Sequence, residues 1–266
     1  MYRGFNLKLD RLAFHKELEN HIVKFSANSS VKQAIQESLE KYIDAKGKLN
    51  GTKMQEDWFP TVNAQVFISH SHQDEVLAGF LAYILKQRLG IDSFIDSFVW
   101  GYADKLLRVI DNEYCLNDNK LTYDYEKRNY STSHVHMMLS TALTKMIDKS
   151  ECIIFLNTPN SVVSDGITNQ TYSPWIYHEI ATTKIIRENT PERIEKKRGF
   201  TKEGQEFAEK SLEIGYEIDF DNLALLDDNL LMNWLKLEGT SSDDALDWLY
   251  ENVKPAEKTT YQVFIK

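Results

Sequence analysis

The segment Ser173-Pro174-Trp175-Ile176-Tyr177-His178-Glu179 sets an indole and a carboxylate four residues apart. On a helix that spacing puts both on one face, one turn from each other. Ser173 is a good N-cap and Pro174 suits the first helical position, so a helix is predicted from Pro174 to about Glu188. An indole beside a carboxylate offers a flat surface to an aromatic ligand and desolvates the acid. The plainer reading is a Trp175 that packs the helix on a sheet with Glu179 in solvent, and helix logic alone favours it. A second polar cluster, Ser69-His70-Ser71-His72-Gln73-Asp74, gathers hydroxyls, imidazoles and a carboxylate in six residues. His70-x-His72 and His134-x-His136 are paired imidazoles of the type that ligate zinc. They fall on different elements, and two residues two apart on a helix point in different directions, so no metal is expected. Cys115 and Cys152 form neither a disulfide framework nor a metal pair by spacing, and Cys152 reads as a core residue.

These side chains need elements to hold them. Val66-Phe67-Ile68 is a short run of β-formers, as a buried parallel strand would be. A helical pattern at Leu77, Phe80, Leu81, Ile84, Leu85 and Leu89 follows and closes at Gly90. Ser93-Phe94-Ile95 is a second strand, with a helical pattern through Leu106, Leu107, Ile110 and Tyr114. Residues 115–133 are polar and rich in Tyr and Asn, and read as an insertion. Val135 to Met146 resume a helical face, and Cys152-Ile153-Ile154-Phe155-Leu156 is the third strand. Further strands are expected near Tyr216–Ile218 and Leu223–Leu226, and helices at Leu230–Leu237 and Ala245–Val253. Strand and helix alternate, so the fold class is α/β with a parallel sheet and helices on both faces. Residues 7–46 read as a helical hairpin, within a helical extension over 1–60 that is separate from the α/β domain at 61–266. In an open parallel sheet ligands bind beyond the carboxyl ends of the strands. The loops 69–74 and 157–173 would meet there.

The chain has 266 residues, 31 Lys and Arg against 40 Asp and Glu, and a net charge of −9. Nucleic acid is therefore not expected as the main partner, even though Tyr123, Tyr125, Lys127, Arg128 and Tyr130 interleave aromatic and basic groups. No apolar run approaches the roughly 20 residues that span a bilayer, and the two cysteines suit a reducing compartment, so a cytoplasmic protein is expected.

Val66-Phe67-Ile68-Ser69-His70-Ser71-His72-Gln73-Asp74 resembles the first strand and loop of Toll/interleukin-1 receptor (TIR) domains, above all bacterial ones. Phe94-Ile95-Asp96, then Trp100-Gly101-Tyr102 and Leu106, resembles their second strand and the loop after it. Ser173-x-Trp175-x-x-x-Glu179-Ile180 resembles the S-x-W-x-x-x-E-[LI] signature of their third helix. The resemblance covers roughly residues 62–253. It departs from the family in the insertion and in poorly marked final βα units.

The resemblance implies a flavodoxin-like sheet of five parallel strands in the order 2-1-3-4-5. It implies cleavage of NAD+ at the nicotinamide–ribose bond, giving ADP-ribose or a cyclic ADP-ribose-type signal, with NAD+ as substrate and no cofactor. Glu179 matches the catalytic glutamate. Ser69, His70, Ser71, Asp74, Trp100, Tyr102, Ser173 and Trp175 are the expected ligand-binding residues. Self-association through the TIR domain and residues 1–60, a separate effector that responds to the product, and a role in antiphage defence are expected too. The alternative is a non-catalytic adaptor that acts by assembly.

Overall fold

The computed structural model describes residues 1–9, 39–100, 103–164, 168–195, 216–237 and 239–256. The chain divides into two compact units, one of Met1–Phe25, Asn63–Phe94 and Ile147–Lys266, the other of Ser26–Val62 and Ile95–Met146.

The first unit is built on a five-stranded, all-parallel sheet. Its strands are β1 (Arg3–Lys8), β2 (Val66–Ser69), β3 (Ser93–Phe94), β4 (Cys152–Asn157) and β8 (Leu223–Leu226), in the spatial order β3-β2-β4-β1-β8. Phe5, Ile68 and Ile154 on one face and Phe67, Ile153 and Phe155 on the other are all buried, as strands covered on both faces require. The α/β class and the parallel sheet predicted from the sequence are observed, and they are consistent with a flavodoxin-like fold.

One position in the sheet is filled from an unexpected place. The 2-1-3-4-5 order holds for β3, β2, β4 and β8, but the fourth place is taken by β1, from the start of the chain. Residues 3–8 are therefore no part of a helical extension. They lie between β4 and β8 and pair with both. Gly4 makes this fit: a Cβ there would sit 2.3 Å from Leu223 Cδ2 and 3.2 Å from Ile153 Cγ2. Most of the predicted helical hairpin, residues 10–38, lies outside the described residues. Residues 40–42 form a single 3-10 turn, and the first helix described is α1 (Gly51–Trp58). The strand at Tyr216–Ile218 (β7) also exists but leaves the main sheet. It pairs antiparallel with β6 (Asn169–Thr171), which pairs with β5 (Val163–Ser164).

The helices of this unit follow the apolar spacing. Glu75–Leu89 (α2) ends on Gly90 in the left-handed region, φ 67°, whose N–H returns to Lys86 O. Pro174–Ile185 (α6), the short Glu192–Glu195 (α7), Asp228–Leu235 (α8) and Ser242–Asn252 (α9) complete it. At the amino ends of the strands, Arg193 bridges Glu151 and Asp247, and Tyr250 Oη donates to Glu151 Oε1 at 2.8 Å.

In the second unit, α1 is joined by Asp96–Val99 (α3), Ala103–Ile110 (α4) and Tyr125–Lys149 (α5), the last reaching the first unit's Ile147. A π-helical turn at Asp111–Cys115 buries the Asp111 carboxylate, which accepts from Ser131 Oγ at 2.6 Å and Arg128 Nε at 2.9 Å. The predicted insertion is thus only partly a loop. Residues 116–123 close on a Leu116–Tyr123 bridge, and from Tyr125 onward it is helix, fastened by that aspartate. Among the described residues no helix is long and apolar enough to cross a membrane.

Candidate functional site

The site assembles at the carboxyl edge of the sheet, where β2 and β4 lie side by side. Ser69 is the last residue of β2, and is 1% exposed. Its Oγ donates to Glu179 Oε2 at 2.5 Å, across 110 residues of chain. Glu179 stands in the second turn of α6 and is 4% exposed. A carboxylate taken this far out of water needs strong donors, and a hydroxyl to a charged oxygen is among the stronger ones. The solvated glutamate that helix logic favours is thus not observed.

The start of α6 explains how Glu179 arrives there. Ser173 caps the helix, its Oγ accepting from Ile176 N at 3.3 Å, with Pro174 in the first turn. The Ser173 N–H is itself taken by Thr171 Oγ1 at 3.2 Å. Ile176 and Ile180 are buried on the flanks of Glu179 and fix the rotation of the helix. Trp175, one turn before Glu179, is half-buried. Ser173 therefore serves the helix through its cap, and the Trp175 ring is left partly exposed.

Asp74 has a different place from the one expected of a ligand-binding residue. It ends a 3-10 turn at His72–Asp74 and is buried. Both its oxygens are engaged by the loop after β4: Thr158 Oγ1 donates to Oδ2 at 2.5 Å, and Asn160 Nδ2 donates to Oδ1 at 2.7 Å. Asp74 fastens the two site loops together. Thr158, Asn160 and Ser161 belong to this clamp and are not among the residues the sequence singles out. Their signal is a run of small polar residues in which Ser161 Oγ accepts from Thr158 N at 2.9 Å and donates to Leu156 O at 2.8 Å.

His70 is half-buried with Nδ1 3.4 Å from Ile68 O, and His72 is exposed. Ser71 caps the 3-10 turn through a long contact from Gln73 N, 3.4 Å. Trp100 lies in the second unit. It is 1% exposed, packs edge-on against Phe59 and donates from Nε1 to Pro60 O at 2.9 Å. The ligand-binding role expected for Trp100 is not what these contacts show: its ring and its Nε1 are committed to packing within the second unit. Tyr102 lies outside the described residues. His134 and His136 are exposed on α5, and among the described residues no three His, Cys, Asp or Glu side chains form a metal-binding group.

A separate groove of about 510 Å³ runs along edge strand β8, lined by Leu223, Leu225, Asp227 and Lys254 among others. It contains neither Ser69 nor Glu179, and its acidic residues, Asp221 and Asp227, do not suit an anionic ligand. The buried, hydrogen-bonded carboxylate is the stronger chemical signal. Comparison with protein-family models, with curated proteins and with solved structures returns no significant match.

Proposed function

We propose that this chain is a TIR-type NAD+ nucleosidase that cleaves the nicotinamide–ribose bond, with Glu179 as the catalytic carboxylate. The observation that supports it is the buried Glu179, held by Ser69 at the carboxyl edge of a parallel sheet. Nicotinamide leaves a cationic pyridinium as a neutral molecule, so the departure needs no general acid. The bond that breaks is C1′–N, and its electron pair goes to the ring nitrogen. The ribose carbon becomes oxocarbenium-like, and one ionised carboxylate beside it stabilises that charge, as in glycosidases. Ser69 keeps the carboxylate oriented. Trp175 walls the pocket.

Water as acceptor gives ADP-ribose and a proton. An adenine nitrogen of the same molecule gives a cyclic isomer. Self-assembly, a cytoplasmic setting, a product sensed by a separate effector and a role in antiphage defence belong to the same reading. The cytoplasmic setting rests on the cysteines and the lack of a long apolar run in the sequence, and the others on the TIR resemblance.

The test is nicotinamide release from NAD+ over a wide range of protein concentration, wild type beside Glu179→Gln, with products resolved by mass. Release is expected to rise faster than linearly with protein and to fall roughly 10²–10³-fold in the variant, the scale of losing one electrostatic stabiliser. Gln keeps an acceptor for Ser69 and removes only the charge. Equal release by both proteins removes Glu179 from the chemistry. No release at any concentration favours the adaptor alternative.

A further inference from the structure

A polar stripe crosses three adjacent strands at the carboxyl edge of the sheet. Side chains alternate along a strand, and residues paired across parallel strands project from the same face. Ser69 of β2 pairs with Phe155 of β4, and Phe155 with Asn6 of β1. Two residues further along, Asn157 pairs with Lys8. Ser69, Asn6, Asn157 and Lys8 therefore share one face, and Glu179 lies over it, because Ser69 reaches its carboxylate.

Asn6 is buried within the interior strand β1, where an amide is costly unless it is bonded. Its Oδ1 accepts from Asn157 Nδ2 at 3.0 Å, which fixes the half-buried Asn157 amide at the strand end. Lys8, beside it, is exposed and ends β1. Phe155 is buried and stacks on Phe220, ring centroids 5.4 Å apart, so a ligand must run along the strand ends rather than over the face. Strands lie about 4.8 Å apart and rise about 3.4 Å per residue, which puts Lys8, two strands across and two residues further along, roughly 12 Å from Ser69. In a dinucleotide, one ribose ring and one methylene separate the anomeric carbon from the diphosphate. A lysine side chain spans what remains of the gap. In a chain of net charge −9, a cation at this edge is matched to an anionic ligand.

We propose that Lys8 and Asn157 form the diphosphate subsite of an ADP-containing ligand whose other ribose lies at Glu179, with Asn6 as the positioning residue for Asn157. The ligand class rests on the dinucleotide reading above. It also gives β1 a part in function, because the strand that fills the fourth place in the sheet brings a cation to the site.

The probe is ADP, titrated calorimetrically into wild type, Lys8→Gln and Lys8→Arg, with adenosine as the control lacking phosphate. NAD+ kinetics are run on the same proteins. Loss of a charge-assisted contact is expected to weaken ADP about tenfold or more in Lys8→Gln, while Lys8→Arg stays near wild type and adenosine does not distinguish the three. The KM for NAD+ should rise by a similar factor with little change in kcat, the pattern of lost uniform binding. Lys8 is exposed, so the variants should melt as wild type does. Equal ADP affinity in wild type and Lys8→Gln, or no ADP binding to wild type at millimolar concentration, overturns the subsite. Lys8-dependent ADP binding without nicotinamide release keeps the subsite and sinks the nucleosidase reading. Nicotinamide release with an unchanged KM in Lys8→Gln does the reverse.

Discussion

Glu179 and Asp74 are both buried carboxylates at one edge of a sheet, yet their surroundings give them different work. Asp74 has each oxygen taken by a side chain of the opposite loop, which suits a clamp. Glu179 receives Ser69 on Oε2 from the end of β2 and stands on α6 one turn after the half-buried Trp175, the place in which the proposed chemistry needs its carboxylate. The sequence made both residues visible, Glu179 as catalytic and Asp74 as ligand-binding, but could not show Asp74 to be a clamp, because its partners, Thr158 and Asn160, lie more than eighty residues away. The cysteines show the same dependence on surroundings. Burial, and then the negative charge of Glu151, push the Cys152 thiol up to about 12. Cys115 is buried as well, and desolvation raises its thiol too. Since the thiolate is the nucleophile, neither should react with iodoacetamide in the native protein at pH 8, and both should react in urea. Mass spectrometry of the labelled protein checks this, and a native protein alkylated at Cys152 would contradict the burial.

At the scale of elements, helices and strands with a clear apolar pattern were legible: α2, α8, α9, β2 and β4 lie where the pattern puts them, and α6 starts where its Ser173 cap and Pro174 put it. What failed was β1. Its residues, Arg-Gly-Phe-Asn-Leu-Lys, carry only two large apolar side chains, and Gly4 and Asn6 interrupt the run. Leu9 also opens the three- and four-residue spacing that continues through Leu12, so the local pattern favoured a helix from residue 7 onward. Tertiary pairing with β4 and β8 decided otherwise. Gly4 is the residue through which that pairing can be tested. Its missing side chain admits the Leu223 and Ile153 methyl groups, so Gly4→Ala must push Leu223 aside in a packed core. The expected cost is about 1–3 kcal/mol, read as a lower urea midpoint at unchanged slope. A midpoint equal to that of wild type would mean that the sheet tolerates a wider β1–β8 spacing.

At the scale of the whole molecule, removing residues 1–60 cannot leave the α/β unit intact. Such a deletion takes out a strand hydrogen-bonded on both sides and exposes the inner edges of β4 and β8. The expected result is an insoluble product or one without a cooperative melting transition, whereas a variant that melts sharply would show the sheet closing without β1. The order of the strands in space also sets a timetable for synthesis. Strand β1 leaves the ribosome well before either neighbour. Its partner in β4 follows roughly 150 residues later and its partner in β8 roughly 220 residues later, so at about 5–20 residues per second it waits of the order of ten seconds or more. During that wait Phe5 and Leu7 have no sheet to enter. Long-range parallel pairing is slow as well. A nascent chain of this protein should therefore depend on holding factors until β8 has been made.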